Sequence, residues 1–362
     1  MRSSKEHDFL NNLCHFETNA STQAMASISA REAAVYDRQI RLWGIDAQKR
    51  LQNSKVLICG ASGLGLEVAK NLTLAGFTVA VQDHQRVVEA DLGSNFFLER
   101  DSVGKNKANA VLPNLKQLNP LVNTTAMETP LSEVDQKILT HFDCVLLVNA
   151  PLREAVRINN ICHNHNINFF NGCTYGCLGT FFADLGTHSY PAKRGSGHTN
   201  SAPTMVTKSF STLEQSIATP WPKLVKLRFG FPELYFGTLI LEKYWETLSC
   251  HPRGTVGTDG ARIAFDDLTQ MADTLSKSNG KQDKFAFASE KTLRLLFDTA
   301  LSELSPVCAV LGGLIGQEIT KAIAGKGQPI CNSNGSNWLF FDPMGMIDKK
   351  GGAIVKSNPP KA

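Results

Sequence analysis

From Lys55 onward, short unbroken apolar runs alternate with segments whose apolar residues recur every three or four positions. "KVLIC" (55–59) and "TVAVQ" (78–82) have the composition of strands buried on both faces, and "GLEVAKNLTLAG" (65–76) between them has helical periodicity. "KANAVLPNLKQLN" (107–119) reads as a further amphipathic helix, "FDCVLLVNA" (142–150) as a strand and "LREAVRINNICHNHN" (152–166) as a helix. "INFFNGCTYGCLGTFFADLG" (167–186) reads as two strands across a glycine turn. Strand and helix in repeated alternation predict an α/β fold, a Rossmann-like doubly wound parallel sheet.

The flanks follow other patterns. Residues 1–30 are polar and patternless and read as a flexible tail. Ser29 and Glu32 have the spacing of a capping box, which predicts a helix from there to Gly44, where it breaks, with a second short helix over Ile45–Leu51. After residues 31–186, the Gly-, Ser- and Pro-rich stretch 187–204 reads as a flexible loop. Residues 205–302 carry three long helical patterns and read as a mostly helical insertion. The segment 303–350, with "SPVCAVLGGLIGQEITKAIAG" and "NWLFFDPMGMID", returns to an apolar helix and a strand that rejoin the first sheet, and 351–362 reads as a tail.

Bulk chemistry narrows the class. A net charge of +4 over 362 residues is too small to make nucleic acid or an anionic membrane the main partner. The nine cysteines are odd in number and scattered, several inside apolar runs, as expected of buried thiols in a reducing compartment rather than a disulfide framework. No Cys-x-x-Cys pair is present, which argues against a thiolate zinc site. The first residues lack the apolar core of a leader, and no stretch is expected to span a membrane, so the nucleus and cytoplasm are the expected location.

Candidate chemistry starts at Gly60-Ala61-Ser62-Gly63-Leu64-Gly65, between the first strand and its helix. In a nucleotide-binding turn the first glycine permits the bend, the second lets the backbone approach the phosphates and the third allows helix and strand to pack closely. Gly60 and Gly65 supply the first and third, whereas Ser62 places a side chain where phosphate comes closest. Asp83, at the end of the second strand, is a candidate for holding ribose hydroxyls. On the loop alone, a weakened nucleotide site and a turn kept for folding both stand.

Three further stretches decide between them. "YDRQIRLWG" (36–44), "DHQRVVEADLGSNFFLERDSVGKNKANA" (83–110) and "SPVCAVLGGLIGQEITKA" (305–322) resemble, in order and spacing, the activating enzymes of ubiquitin-like proteins, over residues 31–346. The resemblance implies halves of bacterial adenylyltransferase fold, one of which binds ATP and magnesium and adenylates the C-terminal glycine of the modifier. It implies that this chain is the smaller, non-adenylating subunit, with residues 31–186 and 303–350 forming a pseudo-adenylation domain. The thioester cysteine is implied to lie on the larger catalytic subunit, the expected partner.

Family positions match this chain residue by residue. The first acid of the family's Asp-x-Asp falls on Asp83, but the ribose-holding second acid falls on Gln85. The asparagine and arginine of the next motif fall on Asp91 and Ser94, which replaces a phosphate-facing cation with a hydroxyl and adds an acid. The magnesium-binding aspartate falls on Leu152, which cannot ligate a hard cation. Lys107 alone is retained, and a single lysine there reads as a solvated surface charge. The chain is thus expected to hold no cofactor or metal of its own.

Arg38 matches the arginine that these proteins donate across the dimer interface to the partner's ATP, a role suited to a planar cation set against spreading phosphate charge. Arg41, one turn on, assists or pairs with an acid, while Tyr36, Ile40 and Trp43 are spaced to pack inward. Cys250, in "LSCHPRG", lies in the counterpart of the cysteine domain without that domain's motif and reads as a structural or surface thiol. An NAD(P)-dependent oxidoreductase is the rival reading. It leaves "RQIRLWG" unexplained and finds no dehydrogenase constellation in the second half. The chain could also be the equivalent subunit for another ubiquitin-like modifier. A self-sufficient homodimeric adenylyltransferase, by contrast, would keep the ligands that are lost in this sequence.

Overall fold

The structure is a computed structural model and describes residues 28–192, 204–225, 232–248, 252, 264–329, 337–343, 345 and 355–356. Its frame is an eight-stranded sheet. β1 (Lys55–Cys59), β2 (Thr78–Gln82), β3 (Thr124–Met127), β4 (Cys144–Val148) and the start of β5 (Asn168–Tyr175) run parallel. β6 (Leu178–Asp184), β9 (Trp338–Phe341) and β10 (Val355–Lys356) extend the sheet antiparallel beyond β5. The order is β10-β9-β6-β5-β4-β1-β2-β3, so the sheet is mixed rather than purely parallel. β5 and β6 are joined by the two-residue turn at Gly176 (φ +62°) and Cys177, too short for a crossover, and must therefore pair antiparallel. β3, in "TTAM", lacks a long apolar run and has no counterpart in the elements read from the sequence.

Two layers of helices cover the sheet. On one face lie α3 (Ile45–Asn53), α4 (Gly63–Ala75) and α5 (Lys107–Leu118), with the long α13 (Ser305–Ala324) laid against α4. The other face is covered by the short α6 (Gln136–Leu139), by α7 (Leu152–Asn164) and by the region expected to be a helical insertion: α8 (Leu213–Ile217), α9 (Trp221–Val225), α10 (Glu233–Glu246), α11 (Phe265–Ser278) and α12 (Glu290–Thr299). These helices share one apolar core with the sheet. Tyr235 of α10 meets Trp338 and Phe340 of β9 edge-on at 5.4 and 6.1 Å.

Several expectations are corrected. Stretch 187–204 opens with β7 (Thr187–Pro191), which pairs antiparallel with β8 (Met205–Ser209) in a separate two-stranded sheet. Residues 193–203 between them lie outside the described residues. The presumed tail 351–362 contributes β10 to the sheet edge. α13 is long and apolar enough to cross a membrane by length and composition, contrary to the sequence reading. It is instead a packed helix here: Val307, Cys308, Leu311, Ile315 and Ile319 are buried, and a Cβ on Gly312 would lie 2.6 Å from that of Glu67 on α4. Glycine there lets two apolar helices meet at close range.

The N-terminal helix divides where no breaker is expected. The Ser29–Glu32 capping box forms and holds the Glu32 carboxyl below its usual range, through the hydroxyl and amide of Ser29. The helix then breaks at Tyr36, giving α1 (Ala30–Val35) and α2 (Asp37–Trp43), with α3 following the expected break at Gly44 (φ +86°). Tyr36 is fully buried and its hydroxyl accepts from Asn119 Nδ2 at 2.8 Å, so its anchoring competes with a continuous helix. Ile40 and Trp43 are only partly buried, and Leu42 is 71% exposed.

Candidate functional site

The glycine loop leaves β1 and enters α4 as its residue types require. Gly60 has φ +113°, and a Cβ there would lie 2.8 Å from the carbonyl oxygen of Val148. A Cβ on Gly65 would lie 2.0 Å from the carbonyl oxygen of Gly60, so bend and helix packing both need glycine. Beside the loop, at the C-terminal ends of β1, β2 and β4, is a cavity of about 260 Å³ whose lining includes Gly60, Ser62, Asp83, Gln85, Lys107 and Asn149. That is where doubly wound sheets place their ligands.

Several polar groups at this space are engaged with one another or with the loop backbone. Asp83 Oδ2 accepts from Ala61 N at 2.9 Å, and its Oδ1 accepts from Gln85 N at 2.9 Å, so the carboxylate braces the loop. Lys107 is buried, not the solvated charge expected of it. Its Nζ lies 2.8 Å from Asp91 Oδ1 and donates to Gln85 Oε1 at 3.4 Å. The acid at the family's asparagine position therefore neutralises the one retained cation. Asp91 Oδ2 also accepts from Val88 N at 2.9 Å. At the magnesium position, buried Leu152 offers no oxygen ligand, and its backbone N–H donates to Glu242 Oε2 of α10 at 3.1 Å. Among the described residues no three His, Cys, Asp or Glu side chains are grouped to hold a metal ion. These residues do not fit ATP with magnesium.

The group the sequence reading missed is Glu303, in the connection between α12 and α13. Its carboxylate sits at the start of α4, accepting from Gly63 N at 2.8 Å, Leu64 N at 3.4 Å and Ser62 Oγ at 2.9 Å. Asn149 Nδ2 donates to it at 2.8 Å, and the Thr174 and Ser94 hydroxyls reach it at 3.4 Å. Asn149 is held for this by its own left-handed backbone (φ 50°) and by accepting from Thr174 N at 2.9 Å. Glu303 lies 240 residues from the loop it caps, a separation that no local pattern reveals.

The other candidates lie at the far end of α4. Gln39 of α2 donates to the Leu74 carbonyl at 3.2 Å and Gln48 of α3 to that of Ala75 at 2.9 Å, docking the N-terminal helices on the C-terminus of α4. Arg41 pairs with Asp37 at 3.0 Å, both largely exposed. Arg38 is exposed and makes no ion pair among the described residues. From Gly63 to Leu74 the helix spans roughly 17 Å, at about 1.5 Å per residue. Arg38 and the glycine loop of the same chain thus lie at opposite ends of α4. Cys250 lies outside the described residues. Burial pushes the thiols of Cys59, Cys144, Cys162 and Cys308 up, so they are poor nucleophiles.

Comparison with known proteins bears on the family of the chain and on its fold. The model of the ThiF family matches residues 36–350. "SUMO-activating enzyme subunit 1" of Xenopus laevis is 35% identical over 339 residues, covering 88% of this chain and 94% of that protein. The human protein of the same name is 33% identical over 362 residues, covering 94% and 99%, and that of Rattus norvegicus is 33% identical, covering 92% and 96%. Among solved structures, the crystal structure of selenomethionine PaaA superposes with a TM-score of 0.51 at 14% identity, over 95% of this chain and 80% of that one, a likeness of fold alone.

Proposed function

The chain belongs to the ThiF family, and we propose that it is the non-adenylating subunit of a heterodimeric SUMO-activating enzyme, completing a larger catalytic partner's ATP site with Arg38. In this reading the partner holds ATP and magnesium, adenylates the C-terminal glycine of SUMO and receives it on its own cysteine. This chain holds no nucleotide or metal and works in the nucleus and cytoplasm.

The observation that carries the proposal is a separation. The pocket's surviving cation, Lys107, is spent on Asp91, while a guanidinium with no ion pair among the described residues is presented a helix length away. At the far end of α4, Arg38 is of no use to its own pocket and is available to another chain. An arginine supplied in trans stabilises charge spreading over phosphate in the transition state. Val35, Leu42, Ile45 and Leu74 near it are 56%, 71%, 49% and 44% exposed, an apolar rim suited to being covered by a partner.

The test is Arg38→Ala in the reconstituted heterodimer, read as SUMO-dependent exchange between ATP and pyrophosphate. Loss of one finger-type cation predicts a fall of about 10³-fold or more in kcat with the complex intact. A full exchange rate in the variant would remove Arg38 from the site.

A further inference from the structure

We propose that the phosphate cradle of the glycine loop persists in this chain and is held shut by its own Glu303, which adds a seated internal anion to the lost ligands that keep nucleotide out of this half of the heterodimer. The proposal rests on the reading that the partner alone carries ATP. It adds the physical means by which the second site is closed.

The donors around Glu303 form a built anion site. Two successive N–H groups at the start of a 13-residue helix, Gly63 and Leu64, meet the carboxylate where its charge also gains from the helix dipole. Ser62, Ser94, Asn149 and Thr174 bring donors from the loop, the following connection, the end of β4 and β5. They converge at the carboxyl edge of the parallel strands, where an anionic ligand of this fold would sit. The fit is close: a Cβ on Gly63 would lie 2.7 Å from the Ser94 carbonyl oxygen and 3.2 Å from Glu303 Oε2.

Glu303 is delivered by a fixed segment. Gly176 N donates to the Ser302 carbonyl at 3.0 Å, Gly176 and Glu303 form an isolated parallel bridge, and α13 begins two residues later. A phosphate oxygen seeking the same donors meets a carboxylate already seated there, and two like charges cannot share the site. Ser62, a defect by the standard of a phosphate-binding loop, is here a donor to the internal anion at 2.9 Å. The carboxylate also ties the start of α4 on one face of the sheet to the connection leaving α12 on the other, so closure of the cradle and re-entry of the chain are one contact.

The experiment compares full-length wild type with Glu303→Ala and the isosteric, neutral Glu303→Gln by thermal unfolding, in inorganic phosphate and in chloride of matched ionic strength. General salting-out acts on all three alike, so only the difference between proteins counts. We expect both variants to melt below wild type in chloride, and phosphate to raise their midpoints by several degrees more than that of wild type, because a cradle without its internal negative charge binds the ion, most strongly in Glu303→Ala, where the space is also vacated. If Glu303→Ala does not fold, Glu303→Gln carries the same comparison. Equal phosphate response in wild type and variants overturns the proposal. That failure leaves the exchange assay of Arg38→Ala untouched, and a full rate in that assay leaves the phosphate comparison untouched.

Discussion

The two ends of α4 carry opposite solutions to the same problem. A helix leaves its first N–H groups and last carbonyls without partners along its own axis, and in this chain side chains from distant sequence reach both ends. At the N-terminus the partner is a charged group, the Glu303 carboxylate, which closes the end to any further anion. At the C-terminus the partners are neutral amides, Gln39, Gln48 and Asn119, the last donating to the Thr73 carbonyl at 2.9 Å. The residue beside Gln39, Arg38, is left exposed. One end of the helix has turned a ligand site inward, and the other offers a cation outward.

The comparison breaks first at Arg38, where the loss of exchange activity is the largest expected effect and should leave the thermal midpoint nearly unchanged. The next effect is the reverse, structural without chemistry. Gly65→Ala drives a Cβ into the Gly60 carbonyl, a contact of 2.0 Å that only backbone movement relieves. We expect a loss of about 3 kcal/mol or more in chemical denaturation. Where the variant heterodimer is still folded, its exchange rate should match wild type. A folded Gly65→Ala heterodimer with selectively lost exchange would show that the loop works in the chemistry.

Lys107→Met sharpens the same distinction. Lys107 is buried and Asp91 is less than one-fifth exposed, so removing the cation leaves a carboxylate short of its partner. The expected cost is about 2 kcal/mol in stability, measured by denaturant midpoint, with Asp91→Asn costing a similar amount. Were Lys107 a nucleotide cation, the variant would keep its stability and lose exchange instead.

Much of the fold and part of the site are legible in the sequence, and the exceptions share a cause. The strands β1, β2, β4, β5 and β6 and the helices α4, α5, α7 and α13 follow from apolar runs and periodicity, which are local. So are the losses at Gln85, Ser94 and Leu152, which are read from residue type at a position. The state of Lys107 is not legible, because burial is not local: packing excludes its solvent, and Asp91, whose position suggests repulsion of a nucleotide, pairs with it instead. Glu303 is invisible because its role depends on a 240-residue closure of the chain. The break at Tyr36 is hidden for the same reason, since the hydroxyl bond to Asn119 spans 83 residues and overrides good helix propensity. Asn149 does leave a trace, an asparagine directly after an apolar strand, a residue type that readily takes a left-handed turn.

The smallest effect separates two arginines one turn apart. Arg41 and Asp37 form an i,i+4 pair with side chains 78% and 52% exposed. Water and salt screen such a pair, and ordering two exposed side chains offsets most of what remains. Arg41→Ala should therefore change stability by less than about 0.5 kcal/mol. Because Arg41 is held by an acid of its own helix, it is not presented as Arg38 is, and exchange by the variant heterodimer should stay within about twofold of wild type, under about 0.5 kcal/mol of transition-state free energy. A loss at Arg41 as large as that at Arg38 would mean that the guanidinium leaves Asp37 for the partner's nucleotide. The outward end of α4 would then present two cations rather than one.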